Sequence, residues 1–180
     1  MSQKALFLDR DGVINVDTGY VHTVTDFHFI SGIFNICQKA IFKDYLIIVV
    51  TNQAGIGRGL YTLNDFNFLT DWMCETFLAN NIFITKVYYS PFHPVYGLGE
   101  YKRNDEMRKP RPGMINKAKV EYGLDLWDSV LIGDNHTDIQ AGQSAGVRTN
   151  ILFDEQNEAE LEFTGTYHIV KNLQRAESLL

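Results

Sequence analysis

Cysteine is scarce in this chain, with two among 180 residues, Cys37 and Cys74. Both fall in segments that read as helices, so they read as reduced core thiols, and two cysteines cannot build a Cys-rich zinc site. No apolar run approaches the roughly 20 residues of a membrane helix. No apolar segment with a cleavage site precedes Lys4, so a cytoplasmic location is expected. Basic charge is short as well: 16 Lys and Arg against 22 Asp and Glu leave a net charge of -6. That balance gives no general attraction to nucleic acid or to anionic membrane. Two nucleotide signatures are missing. There is no GxxxxGK[ST] loop, and Gly55-Ile56-Gly57-Arg58-Gly59 has the wrong spacing for a dinucleotide turn. Hydrophobic residues at 45% and charged residues at 21% are ordinary for a globular protein. The length fits one domain over 1–180, with no internal repeat or linker.

Against that background one stretch stands out, Leu6-Phe7-Leu8-Asp9-Arg10-Asp11-Gly12. A short apolar run reads as a buried parallel strand and ends in two carboxylates one residue apart. In extended backbone, residues i and i+2 point the same way, so Asp9 and Asp11 can face one small volume. Two adjacent anions need a cation or a shared proton. A solvated turn after a strand would also accommodate Asp and Gly, and the remainder of the chain decides between the two.

Lys4 to Leu8 is the first predicted strand, followed by a long loop over 15–30. Ser31 is placed as the cap of a helix reaching about Lys43, with Ile33, Ile36, Cys37, Ala40 and Ile41 at helical spacing. Tyr45 to Val50 is a continuous apolar run rich in β-branched residues, hence a central strand that leads into Thr51-Asn52-Gln53 and a glycine-rich turn. Thr62 caps a helix to about Asn80, whose Phe66, Leu69, Met73 and Phe77 share one face beside Trp72. Thr85 to Tyr89 is a third strand. The irregular stretch from Pro91 to Arg111 is long enough to suggest a functional role. Pro112 opens a helix that ends near Gly123. Ser129 to Ile132 is a fourth strand before Gly133-Asp134. A helix over Thr137 to Ser144, a strand over Arg148 to Phe153, a strand near Tyr167 to Val170 and a short last helix complete the chain.

Alternating strands and helices imply a parallel sheet covered by helices on both faces, an α/β/α three-layer arrangement. Its C-terminal edge then gathers Asp9 and Asp11, Thr51 and Asn52, and Asp134 and Asp138, which weighs against a mere turn at Asp9. Asp9, Asp11 and Asp134 offer the oxygen ligands of a hard cation such as magnesium. No histidine or cysteine stands at these strand ends, which disfavours a transition metal. Lys109, in Arg108-Lys109-Pro110-Arg111, is a basic cluster in an acidic chain and suits an anion beside the metal. Metal, lysine, hydroxyl and amide together suit a transferring phosphoryl group.

Taken together, Asp9-Arg10-Asp11-Gly12, Thr51-Asn52, Lys109 and Gly133-Asp134-Asn135-His136-Thr137-Asp138 resemble the four motifs of the haloacid dehalogenase (HAD) superfamily. The resemblance spans about Lys4 to Phe153. It implies a Rossmann-like HAD fold with a small cap or none, and a Mg2+-dependent phosphatase. Asp9 would be the nucleophile and Asp11 the acid and base. Thr51 and Lys109 would hold phosphoryl oxygens. Asp9, Asp11 through its carbonyl, and Asp134 would bind the metal, with Asp138 orienting that shell from behind.

Within the superfamily the chain is similar to the D-glycero-D-manno-heptose 1,7-bisphosphate 7-phosphatases. The residues that carry this are Asn15-Val16-Asp17 with Gly19-Tyr20-Val21-His22, Phe29-Ile30-Ser31-Gly32, Thr51 to Gly59, and Arg108-Lys109-Pro110. The similarity implies that Asp17, Thr18, Gly19, Tyr20, Asn52, Gln53, Ala54, Arg108 and Asn135 contact a small sugar bisphosphate used in activated-heptose synthesis. With the acidic charge and the lack of long apolar runs, no nucleic-acid or membrane partner is expected, and a monomer is expected. Two departures stand out. A zinc loop common among relatives would fall on Ser90, Phe92, Asp105 and Met107, so zinc is expected to be absent. Asn135 replaces a lysine frequent in relatives. A histidinol-phosphate phosphatase, a polynucleotide 3′-phosphatase and a non-catalytic module on the same fold remain open at this point.

Overall fold

The computed structural model describes residues 3–157 and 161–180. Its sheet has seven strands in the order β3-β2-β1-β4-β5-β7-β6. These are β1 (Lys4–Leu8), β2 (Tyr45–Asn52), β3 (Ile84–Ser90), β4 (Val130–Gly133), β5 (Thr149–Phe153), β6 (Leu161–Phe163) and β7 (His168–Val170). All neighbouring pairs are parallel except β6 with β7, an antiparallel edge that sequence periodicity did not anticipate. Central β1 pairs with β2 on one side and β4 on the other.

Alternation along β1 assigns its side chains to two cores. Leu6 and Leu8 join Ile47, Val49, Val130, Ile132 and the inward residues of α1 (Ile33–Phe42), α3 (Leu63–Ala79) and α6 (Leu173–Ala176). Ala5 and Phe7 join Ile48, Val50, Leu131 and the inward residues of α4 (Gly113–Tyr122) and α5 (His136–Ala145). Helices thus cover both faces, and strands buried on both sides read as unbroken apolar runs, as β2 does.

The expected helix ends hold for α3, where Thr62 accepts from the Asp65 N–H and Asp65 returns a bond to the Thr62 N–H. They also hold for α4, between Pro112 and a left-handed Gly123. At α1 the expected cap is displaced. Gly32, at φ 88°, occupies the cap position and no side chain closes it, so Ser31 is not the cap. The glycine-rich stretch after β2 is helical. It forms one helical turn, α2 (Ala54–Gly57). Gly55 is required there, since a Cβ would come 2.1 Å from the Tyr61 ring. The segment after β1 has no period, yet Val13, Ile14, Val21, Phe27 and Ile30 are buried and anchor it on the core.

Candidate active site

Parallel strands deliver their last residues to one edge, and a cleft of about 500 Å³ opens there. Asp9, Asp11, Asp17, Gly19, Tyr20, Thr51, Asn52, Gln53, Ala54, Arg108, Lys109, Asp134, Asn135 and Asp138 all line it. Of the residues singled out in the sequence, Thr18 alone is outside the lining, exposed on the rim loop. Thr137, inside the motif around Asp134, also lines the cleft, as do Tyr61 and His93, which no local motif announces.

Lys109 is the cation at the floor. It is 3% exposed, and its Nζ lies 2.8 Å from Asp9 Oδ1, 2.5 Å from Asp138 Oδ1 and 2.7 Å from the Val50 carbonyl oxygen. Burial works against the ammonium, but Asp138 and Asp9 overcome it and hold the lysine above its ordinary range. Asn52 positions the lysine through two bonds to its backbone: Nδ2 donates to the Lys109 carbonyl and the Lys109 N–H donates to Oδ1, each at 3.1 Å.

One lysine does not balance the carboxylates. Asp9, Asp134 and Asp138 each offer an oxygen, and these atoms lie within 4.8 Å of one another. Burial, then Asp138, pushes Asp9 well above the usual carboxylate range despite Lys109. The same two causes push Asp134 up to about 6. An all-oxygen donor set with unbalanced negative charge fits a hard divalent cation. Gly12, at φ 87°, makes room for it: a Cβ there would fall 2.1 Å from Asp134 Oδ2. Asp138 is 1% exposed, and its Oδ2 also accepts the Asn135 N–H, closing the N-terminus of α5. Asn135 itself caps α5 by accepting from the Thr137 N–H.

Asp11 is held separately. Its Oδ1 accepts from Arg10 Nε and Nη2 and from Asn15 Nδ2, and its Oδ2 from Arg10 Nη2 and Gln53 Nε2, all within 3.1 Å. Arg10 is 1% exposed and also donates to the Val21 carbonyl. The residue between the two carboxylates is therefore the buried counter-ion of the second.

The rim is built from two loops and α2. Asp17 Oδ1 accepts the Gly19 N–H and shapes the turn that presents Tyr20. Arg58, just past α2, hydrogen-bonds the Tyr20 hydroxyl and lies over the rings of Tyr20 and Tyr96. In the long loop, Arg108 donates to the Phe92 carbonyl at 2.9 Å. Phe92 packs on Tyr101, Arg103 lies over Phe92, and Asp105 pairs with Arg103 while accepting the Met107 N–H. His93 Nδ1 accepts the Val95 and Tyr96 N–H groups, and burial with nearby Arg108 and Arg58 lowers its pKa.

Residues 106–176 match the family model described as HAD-hydrolase-like. A D-glycero-alpha-D-manno-heptose-1,7-bisphosphate 7-phosphatase of Burkholderia mallei is 48% identical over 172 residues, 96% of this chain and 90% of that one. The beta-named counterpart of Vibrio cholerae is 45% identical over 152 residues, 84% and 82% of the two chains. This chain belongs to the D-glycero-D-manno-heptose 1,7-bisphosphate 7-phosphatase family. It is a phosphoric monoester hydrolase of the HAD class. A crystal structure of D,D-heptose 1,7-bisphosphate phosphatase from B. bronchiseptica, complexed with magnesium and phosphate, superposes with a TM-score of 0.83. It covers 98% of this chain and 97% of its own, at 24% identity, and attests the same fold. Among the described residues no helix is long and apolar enough to cross a membrane.

Proposed function

We propose that this protein removes the 7-phosphate of D-glycero-D-manno-heptose 1,7-bisphosphate through an aspartyl-phosphate on Asp9. The observation that carries the reading is the Lys109 ammonium set between Asp9 and Asp138, with Asp134 completing an oxygen cluster beside it. Relatives at 45–48% identity that span most of the chain bear that activity in their names. Asp9, Asp134 and the Asp11 carbonyl would hold magnesium, with Asp138 behind them. When bound, the ion neutralises phosphoryl charge and orients the ester for in-line attack.

Asp9 attacks phosphorus while Asp11 gives a proton to the departing sugar oxygen. Asp11 then takes a proton from the water that hydrolyses the acyl phosphate. Lys109 and the Thr51 hydroxyl hold non-bridging oxygens. A bisphosphate brings a second dianion at neutral pH, its last ionisation lying near pKa 6. Arg108, half-buried at the cleft wall and turned by its bond to Phe92, supplies a planar fork for that phosphate. Asp17, Gly19 and Tyr20, which line the same cleft, would contact the sugar.

The test is phosphate release from a panel holding both anomers of the heptose bisphosphate, histidinol phosphate and a 3′-phosphorylated oligonucleotide. A heptose bisphosphate is expected to have the highest kcat/KM, and a preference for histidinol phosphate overturns the substrate. Arg108→Ala is expected to raise KM for the bisphosphate by about tenfold or more, since a charge-assisted bond contributes roughly 1.5–3 kcal/mol. A simple monophosphate is expected to change little, and an equal loss on both removes Arg108 from the second-phosphate role.

A further inference from the structure

Gln53 lines the cleft, yet its side chain is spent inside the protein. It is 1% exposed. Its Nε2 donates to Asp11 Oδ2 at 2.9 Å and to Thr51 Oγ1 at 2.8 Å, and its Oε1 accepts from the Tyr61 hydroxyl. The orientation of the amide follows from its neighbours. Both Asp11 oxygens accept here, Oδ2 from Arg10 as well as from the amide, so the NH2 group faces Asp11, and the proton Asp11 gives as an acid is one it must first take up. The carbonyl end is thereby turned to Tyr61, whose hydroxyl must donate. Burial pushes that phenol up to about 12, so it keeps its proton. Tyr61 is itself fixed, stacked on His22 with ring centroids 5.1 Å apart and packed against Gly55.

We infer that Tyr61 and Gln53 are positioning residues that set Asp11 and Thr51 together for phosphoryl transfer. One N–H of the amide holds the Asp11 carboxyl in the rotamer that Arg10 and Asn15 also grip. The other fills an acceptor site on Thr51 Oγ1, which leaves the threonine proton to be aimed at a phosphoryl oxygen. Tyr61 prevents the amide from turning over. If it turned, carbonyl oxygen would meet carboxylate, and the Thr51 hydroxyl would donate inward and lose its outward bond. The acid and the hydroxyl donor, one on the β1 loop and the other on β2, are thus aligned by a single neutral side chain. A neutral group suits this place, because another charge beside the Arg10–Asp11 pair would disturb it.

This inference rests on the proposed roles of Asp9 and Asp11, and the experiment separates the two. The probes are p-nitrophenyl phosphate and phenyl phosphate, with magnesium present. In a covalent phosphatase kcat/KM reports steps up to formation of the aspartyl-phosphate. The nitrophenolate leaves without help, whereas phenolate needs the acid. Tyr61→Phe and Gln53→Met are therefore expected to raise the ratio of nitrophenyl to phenyl kcat/KM by at least about fivefold, part of what a general acid supplies. A purely structural role would lower both rates in proportion. A ratio that rises less than fivefold in a variant removes that residue from the alignment role. Asp11→Asn sets the full effect of losing the acid. Should Asp9→Asn retain aryl phosphate hydrolysis, the covalent reading itself fails, whatever the ratios show.

Discussion

At the scale of single residues, the chemistry depends on where side chains are excluded as much as where they stand. Gly12 is the clearest case, because its positive φ and its closeness to Asp134 coincide. Gly12→Ala would strain the backbone by about 1–3 kcal/mol. It would also drive the new methyl into the Asp134 carboxylate. The expected outcome is a folded protein whose magnesium affinity, measured by calorimetric titration, falls at least about tenfold, the scale of disturbing a metal site's immediate surroundings. Unchanged affinity would separate Asp134 from metal binding. Much of this site was legible in the sequence, because carboxylates at strand ends follow from topology alone. Three features were not. Arg10 reads as a spacer between two aspartates, and only the folded turn shows it as Asp11's counter-ion. Tyr61 and His93 lie in segments whose approach to the cleft is a tertiary matter. Gln53 resembles a sugar contact by motif, and its inward bonds require the structure.

At the scale of elements, α3 was the most readable, with a four-residue apolar face and a capping box at its start. Its role is packing. Phe77 is fully buried and meets the rings of Phe29 and Phe34 at 5.8 and 5.1 Å. Phe77→Ala is expected to lower unfolding free energy by about 3–5 kcal/mol, visible as a reduced urea midpoint. Short elements were harder. α2 has four residues, two of them glycine, and β6 has three residues, too few for any period to declare itself. The long loop after β3 lacks the Cys and His residues of a zinc loop. Its Asp105 is engaged in an ion pair and a turn, and its His93 accepts backbone N–H groups. A tetrahedral site needs four N, O or S ligands at bonding distance. Elemental analysis of untagged protein is therefore expected to find no stoichiometric zinc, and one zinc per chain would overturn that expectation.

At the scale of the whole molecule, the three clustered carboxylates concentrate negative charge in the cleft of the metal-free protein beyond what Lys109 balances. Magnesium is expected to stabilise the fold as well as support turnover. At a hundred times Kd the gain is about 2.7 kcal/mol, read as a rise in Tm. Calcium is expected to bind and inhibit, because its longer bonds and higher coordination number spoil in-line geometry. Full turnover in verified metal-free protein would rule out the magnesium role.

The sheet order also bears on how the chain is made. β1 leaves the ribosome first, but one of its two neighbours is β4, which begins at Val130. At ordinary elongation rates, on the order of ten seconds separate the two. Until β4 is made, the strand that ends at Asp9 has at least one open edge, and when Lys109 emerges it has no Asp138 to meet. Such long-range pairing also slows folding after release. Asp9, made early, thus waits for Asp138, and no half-built chain can hold the Asp9–Lys109–Asp138 arrangement.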